Sequence, residues 1–361
     1  MIPHARCDES ALLLQTYFGP EQMHSFIGGP RWWQMRTQDG VPAEWISLYA
    51  DYHSTMLKRG ERGALSTSMM KHFMRGSTRA NPRHEQDSSG EAGPRQAGRY
   101  ADTAEERNRL QRILFYIHGG AYYFGSVNTH KYMILRIASK FGGFAFAPNY
   151  RKAPQFPFPC AIQDCLAAYL YLLDPPEDAP HPPIKPEQIV VAGDSAGGGL
   201  ALALLQLIRD LGLPAPAGGV LLSPWSDLTH SFPSILQNTA TDYIPPYSFV
   251  HKPSTLWPLP TEIGAYARRK WLPFRQRRSR MQQAEAAIPD HQQPLYVPSK
   301  AGKMVALTSQ IQFYATNAQL LHPLCSPALA GSLGGLPPLY ILCGDDEVLR
   351  DEILVRPSVS F

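Results

Sequence analysis

Residues 188–211 read QIVVAGDSAGGGLALALLQLIRDL. A strand-length run, QIVVAG (188–193), apolar after Gln188 and without alternation, ends in the first glycine of a Gly-Asp-Ser-Ala-Gly turn. A helix-length apolar run follows, and Gly212 and Pro214 end it. A strand without alternation is buried on both faces, and that requires a parallel sheet covered by helices. The same rhythm recurs on either side. Strands are expected at 112–117, 143–148, 219–223 and 339–343, with helices over 130–141 and 160–173. Strands alternating with helices of 10–15 residues make βαβ units, so the fold class is α/β with a mostly parallel sheet and helices on both faces.

A chain of 361 residues allows two domains, or one large α/β domain with insertions. Its 34 prolines are about twice the usual ~5% and must sit outside helices and central strands, in loops and an insertion. Residues 1–75 read as a helical, aromatic-rich cap segment, and the polar stretch 76–108 reads as a linker or disordered loop. The α/β domain then occupies 109–361, interrupted by a Pro-rich and basic insertion at about 226–310. The basic run Arg268, Arg269, Lys270, Arg275, Arg277, Arg278 and Arg280 reads as a solvated face of that insertion rather than an anionic-surface or nuclear-targeting patch. With 34 Lys+Arg against 30 Asp+Glu, a charge of +4 is too dilute to argue for nucleic acid as a partner. The five cysteines, Cys7, Cys160, Cys165, Cys325 and Cys343, are odd in number and sparse, unlike a disulfide framework. No signal-peptide pattern opens the chain and no window is long and apolar enough to span a membrane. The expected location is therefore a reducing compartment, the cytoplasm.

Chemistry concentrates in two places. In Gly193-Asp194-Ser195-Ala196-Gly197 the central serine sits on a sharp strand-to-helix turn. Small flanking residues let the elements pack there, and Ser195 Oγ stands at the positive end of the following helix. The N–H of Ala196 then points to where an oxyanion forms. In His118-Gly119-Gly120-Ala121, directly after the strand at 112–117, two glycines let backbone N–H groups approach a substrate in fixed positions. His118 reads as architectural, holding that loop. Asp345, Asp346 and Glu347 follow the strand at 339–343, at the end of the sheet where an acid can orient a base.

These stretches resemble the hormone-sensitive-lipase-like branch of the α/β-hydrolase superfamily, the arylacetamide-deacetylase-type esterases. The likeness lies in FYIHGGAYYFGS (115–126), APNYRKAPQFPFP (147–159), VVAGDSAGGG (190–199), LLSPWSDL (221–228) and GLPPLYILCGDDEVLRDE (335–352). It covers about 112–230 and 310–352, leaves 76–108 and 262–300 unexplained, and is most similar to fungal members, some of them similar to sterol deacetylases. The resemblance implies Ser195 as nucleophile and Gly119, Gly120 and Ala196 as the oxyanion hole. It puts the acid on Glu347, with Asp346 in reserve. It also implies an acyl-enzyme route on small apolar esters (short-chain, aryl or sterol) without metal or cofactor. A chymotrypsin-like protease, suggested by GDSAGG, conflicts with the strand–helix alternation.

In that family the catalytic histidine lies roughly 30 residues past the acid, and only 14 residues follow Glu347, none of them histidine. Substitutes would have to come from His130, His181, His230, His251, His291 or His322. Two expectations follow. Either the chain is a C-terminally truncated esterase, lacking the last strand and helix and inactive as written, or it is a non-catalytic relative that binds a small molecule in the same pocket. Truncation is the favoured reading, because Pro357 breaks a helix that starts near Leu349.

Overall fold

The structure, a computed structural model, describes residues 1–27, 40–47, 112–153, 155–244, 295–298, 303–307 and 314–354. The expected linker at 76–108, the basic run at 268–280, His251, His291 and the tail 355–361 lie outside the described residues.

Helix α1 spans His4–Ser25 and bends at Gly19-Pro20. Strand β1 (Ala43–Ile46) follows, then β2 (Ile113–Ile117), α2 (Val127–Phe141), β3 (Phe144–Pro148) and α3 (Cys160–Leu173). The chain continues through β4 (Ile189–Asp194), α4 (Ala196–Asp210), β5 (Gly218–Leu222) and a short α5 (Ser234–Gln237). A separate hairpin, β6 (Leu295–Pro298) with β7 (Met304–Leu307), precedes α6 (Asn317–Leu320), β8 (Leu339–Leu342) and α7 (Arg350–Leu354).

Six strands form one sheet in the order β1-β3-β2-β4-β5-β8. All neighbours are parallel except β1, which runs antiparallel to β3. Both β2 and β3 are buried at every residue, as their unbroken apolar runs require. Helix α4 is buried from Ala196 to Ile208 and α3 from Cys160 to Leu172, so these two carry the core on one face. Helix α2 covers the other face with Val127, Ile134 and Ala138. It starts at Val127 rather than at 130, because Ser126 and Thr129 form a reciprocal cap, and Gly142 in the left-handed region ends it.

The segment 1–75, read as a helical and irregular cap segment, holds helix α1 and also contributes the edge strand β1. Trp45 in β1 packs on Phe146 with ring centroids 4.9 Å apart, and the strand's backbone pairs with β3 from Ala43–Pro148 to Ile46–Ala145. At the opposite edge, Tyr340, Ile341 and Leu342 of β8 are exposed, and no described strand pairs with β8 beyond β5.

Every strand of the parallel block points its carboxyl end the same way, so the turns after β2, β3, β4, β5 and β8 gather at one rim. A buried ion pair holds the turn after β3. Asp164 on α3 accepts from Arg151 Nε (3.0 Å), Arg151 Nη2 (2.7 Å) and the Arg151 amide (2.7 Å). Neither side chain is more than 8% exposed. Removing one partner strands the other charge in the core, so Asp164→Ala should lower the unfolding free energy by about 3–5 kcal/mol. Urea denaturation measures it, and a loss below 1 kcal/mol contradicts this account of the turn.

Candidate active site

Ser195 joins β4 to α4 with φ 51° and ψ −123°, a backbone that a non-glycine residue holds only under constraint. The constraint is visible. The Ser195 N–H donates to Leu222 O of β5, and the Ser195 carbonyl accepts from Gly199 N and Trp225 N. The turn is also sterically closed. A Cβ on Gly197 would lie 2.1 Å from Ile117 O, and one on Gly193 would lie 2.4 Å from Gly197 O. Strand β2 and helix α4 thus touch backbone to backbone, which only glycine permits.

Closeness to β2 brings the His118-Gly119-Gly120 loop against the elbow. Asp194, the residue before the serine, fastens the two. Its Oδ1 accepts from Gly119 N (3.0 Å) and Tyr116 Oη (2.8 Å), and its Oδ2 faces His130 Nε2 at 3.4 Å. Burial alone would raise the Asp194 carboxyl. The hydrogen bonds from His130, Tyr116 and Gly119 outweigh burial and leave its pKa below the ordinary carboxylate value. His130 is raised in return, chiefly by its hydrogen bond to Asp194.

This tie changes the expected oxyanion hole. The Gly119 N–H is already given to Asp194, so it is not available to an oxyanion. No described residue accepts from the N–H of Gly120 or Ala196, nor from Ala121 N–H, which sequence reasoning missed. These are the donors left facing the rim.

His118 is tied to its own loop. Its Nδ1 donates to Gly119 O at 2.7 Å and its ring stacks on Tyr150 at 4.4 Å, while Tyr150 Oη donates to His118 O. Burial pushes its pKa down to about 4, so the ring is neutral at neutral pH.

The acidic turn after β8 separates its candidates by exposure. Asp345 and Asp346 are exposed, whereas Glu347 turns inward. Glu347 Oε1 accepts from Ser223 Oγ (2.7 Å) and Gly344 N (2.9 Å). Its Oε2 is buried and has no hydrogen-bond partner among the described residues. The loop after β5 clamps this turn: Asn238 Nδ2 donates to Glu347 O, Thr241 Oγ1 donates to Asp346 O, and Asp242 Oδ2 accepts from Val348 N. Ser195 tops β4 and Glu347 follows β8, with β5 between, so two strand spacings, about 10 Å, separate their strands. A base hydrogen-bonded at both ends fits such a gap.

No described histidine bonds to Ser195 or Glu347. His130 serves Asp194. His322 is packed among Tyr17, Phe18, Phe26 and Phe158 and accepts from Leu324 N, with burial pushing its pKa down to about 4. His230 is buried against Trp225. His181 contacts Trp45 and Tyr171 near the amino ends of the strands. Among the described residues no cluster of ligating side chains suits a metal ion, and no helix is long and apolar enough to cross a membrane.

Comparison with known proteins identifies the fold. Residues 114–272 match a family model for the α/β-hydrolase fold, and the sheet order and elbow are those of that fold. An acetyl-hydrolase of Streptomyces hygroscopicus is 32% identical over 241 residues, covering 67% of this chain and 59% of that protein. The arylacetamide deacetylase of Bos taurus is 38% identical over 108 residues, 29% of this chain and 27% of that protein. A solved structure of a hormone-sensitive lipase from a metagenome library is 30% identical, covers 67% of this chain and 61% of its own, and superposes with a TM-score of 0.43. The chain thus spans less than two thirds of the length of these relatives.

The Asp194 tie has a pH signature. His130, raised in the fold, adds stability that is complete below its ordinary pKa of about 6.5 and lost as pH rises through the raised value. Asp194, lowered in the fold, adds stability present above about pH 4 and lost as pH falls through its lowered value. The wild-type protein should therefore lose stability between pH 6 and pH 9 that a His130→Gln variant does not lose. Urea midpoints at the two pH values test this, and equal losses in both proteins contradict it.

Proposed function

We propose that this α/β-hydrolase is a serine ester hydrolase of the hormone-sensitive-lipase-like branch. Its substrates on this reading are small apolar carboxylic esters with short-chain, aryl or sterol parts. Relatives at 32% identity and above are named acetyl-hydrolase, ethyl acetate hydrolase and carboxylesterase, which supports ester hydrolysis as the reaction class.

The observation that carries the proposal is the strained elbow at Ser195 beside a loop whose remaining N–H donors have no internal partner. In the proposed reaction Ser195 Oγ attacks the acyl carbonyl and forms a bond to its carbon. The carbonyl oxygen takes up negative charge against the N–H groups of Gly120 and Ala196. Collapse expels the alcohol and leaves an ester on Ser195, which water then cleaves to release the acid. Removing the serine proton needs a base. Glu347 is the residue we assign to orient it, because its buried Oε2 is an acceptor waiting for an N–H donor.

We place that base outside the described residues, since none of the described histidines fills the gap. The same observation favours a second reading, a protein of this fold that binds an ester without turning it over. The readings separate in one assay. With p-nitrophenyl acetate or butyrate, a hydrolase should lose on the order of 10⁶ in kcat with Ser195→Ala. With Glu347→Gln it should lose about 10⁴, with KM little changed. Saturable ester binding without turnover, surviving Ser195→Ala, supports the binding reading. Turnover unchanged by Ser195→Ala contradicts the mechanism.

A further inference from the structure

An open cavity of about 280 Å³ lies at the same rim, where the chain leaves β3 and passes the residues before β1. Val41, Pro42, Phe156 and the ring of Tyr150 give it apolar walls, and Lys152 and Gln155 bring polar groups to it. Tyr150, one of its lining residues, connects it to the His118 loop. The ring stacks on His118, and Lys152 Nζ also lies over that ring, 5.6 Å from its centroid.

The charges around the cavity do not cancel. Arg151 also lines it, but its guanidinium is neutralised by Asp164 and further bonded to Gln163 Oε1 at 2.8 Å. Lys152 forms no ion pair with any described carboxylate, and its ammonium is half-buried, so desolvation lowers its pKa against a weaker opposing pull from Asp164. A cation with no ion-pair partner among the described residues, beside apolar walls, favours a ligand with one negative charge and a short apolar body. Phosphate fits less well, because Nε and Nη2 of Arg151 are spent on Asp164 and Gln163, and only the buried Nη1 is left without a partner among the described residues.

We propose that this cavity binds a short-chain carboxylate, with the anion on Lys152 and the alkyl chain against Val41, Pro42 and Phe156. The ligand's source, the acid half released from an ester, rests on the hydrolase reading; the binding itself does not. Such a site lets the acid product press on Tyr150, and through it on the loop that carries Gly120.

Calorimetric titration of the whole protein with butyrate, and with uncharged butyramide at equal ionic strength, tests the proposal. Saturable binding of butyrate at least tenfold tighter than butyramide is expected. It should weaken at least tenfold in Lys152→Met, persist in Lys152→Arg, and be unchanged in Ser195→Ala. The last variant separates the two proposals, since loss of ester turnover there leaves the cavity intact. If Lys152→Met does not fold, Lys152→Gln, which keeps a polar head without the charge, is expected to weaken butyrate and not butyramide. Equal affinity for the two ligands, or full butyrate affinity in folded Lys152→Met, overturns the proposal.

Discussion

The carboxylate of Asp194 is the joint on which this rim depends. It ends β4, and through Gly119 N and Tyr116 Oη it grips the strand and loop that begin the parallel block. A partly buried charge is costly unless its lone pairs are used, and three donors converge on this one, so the two loops have little freedom to part. Ser195 is the next residue, and the neighbouring N–H groups of Gly120 and Ala196 inherit that fixity. Preorganised donors are worth more than mobile ones because nothing has to be reoriented as charge develops.

The acid side is built by a different device. Glu347 sits on a turn with little helix or sheet of its own, and the loop after β5 supplies the rigidity. Ser223, itself at φ 44°, donates to one carboxylate oxygen, while Asn238, Thr241 and Asp242 bind the backbone around it. Further along, Ser226 N and Asp227 N donate to buried Glu352 Oε1, and Ser234 Oγ donates to Val348 O. One carboxylate oxygen of Glu347 is thus fully held and the other kept clear, an arrangement suited to orienting a base in one direction only.

Much of this was legible in the chain. Unbroken apolar runs marked β2, β3 and β4, since burial on both faces leaves no polar alternation, and the glycines of the GDSAG turn announced close packing. The edge strand β1 was hidden, because Ala43–Ile46 is only four residues long, partly exposed and set in a segment without a longer alternating run. The roles of Asp194, Tyr116, Ser223 and His130 were also hidden. Each depends on a partner far away in sequence, such as the 75-residue separation between Gly119 and Asp194, and no local period records such a tie. For that reason Gly119 was expected among the oxyanion donors, although its N–H is spent on the joint.

The central claim is that Ser195 is a nucleophile held by its surroundings. Treating the protein with a fluorophosphonate ester, digesting it and locating the adduct by mass spectrometry tests that most directly. The account predicts a single modified peptide containing Gly193 to Gly197, with the adduct on Ser195 and none after substitution of that residue. Modification of another serine, or equal labelling with and without Ser195, would contradict it.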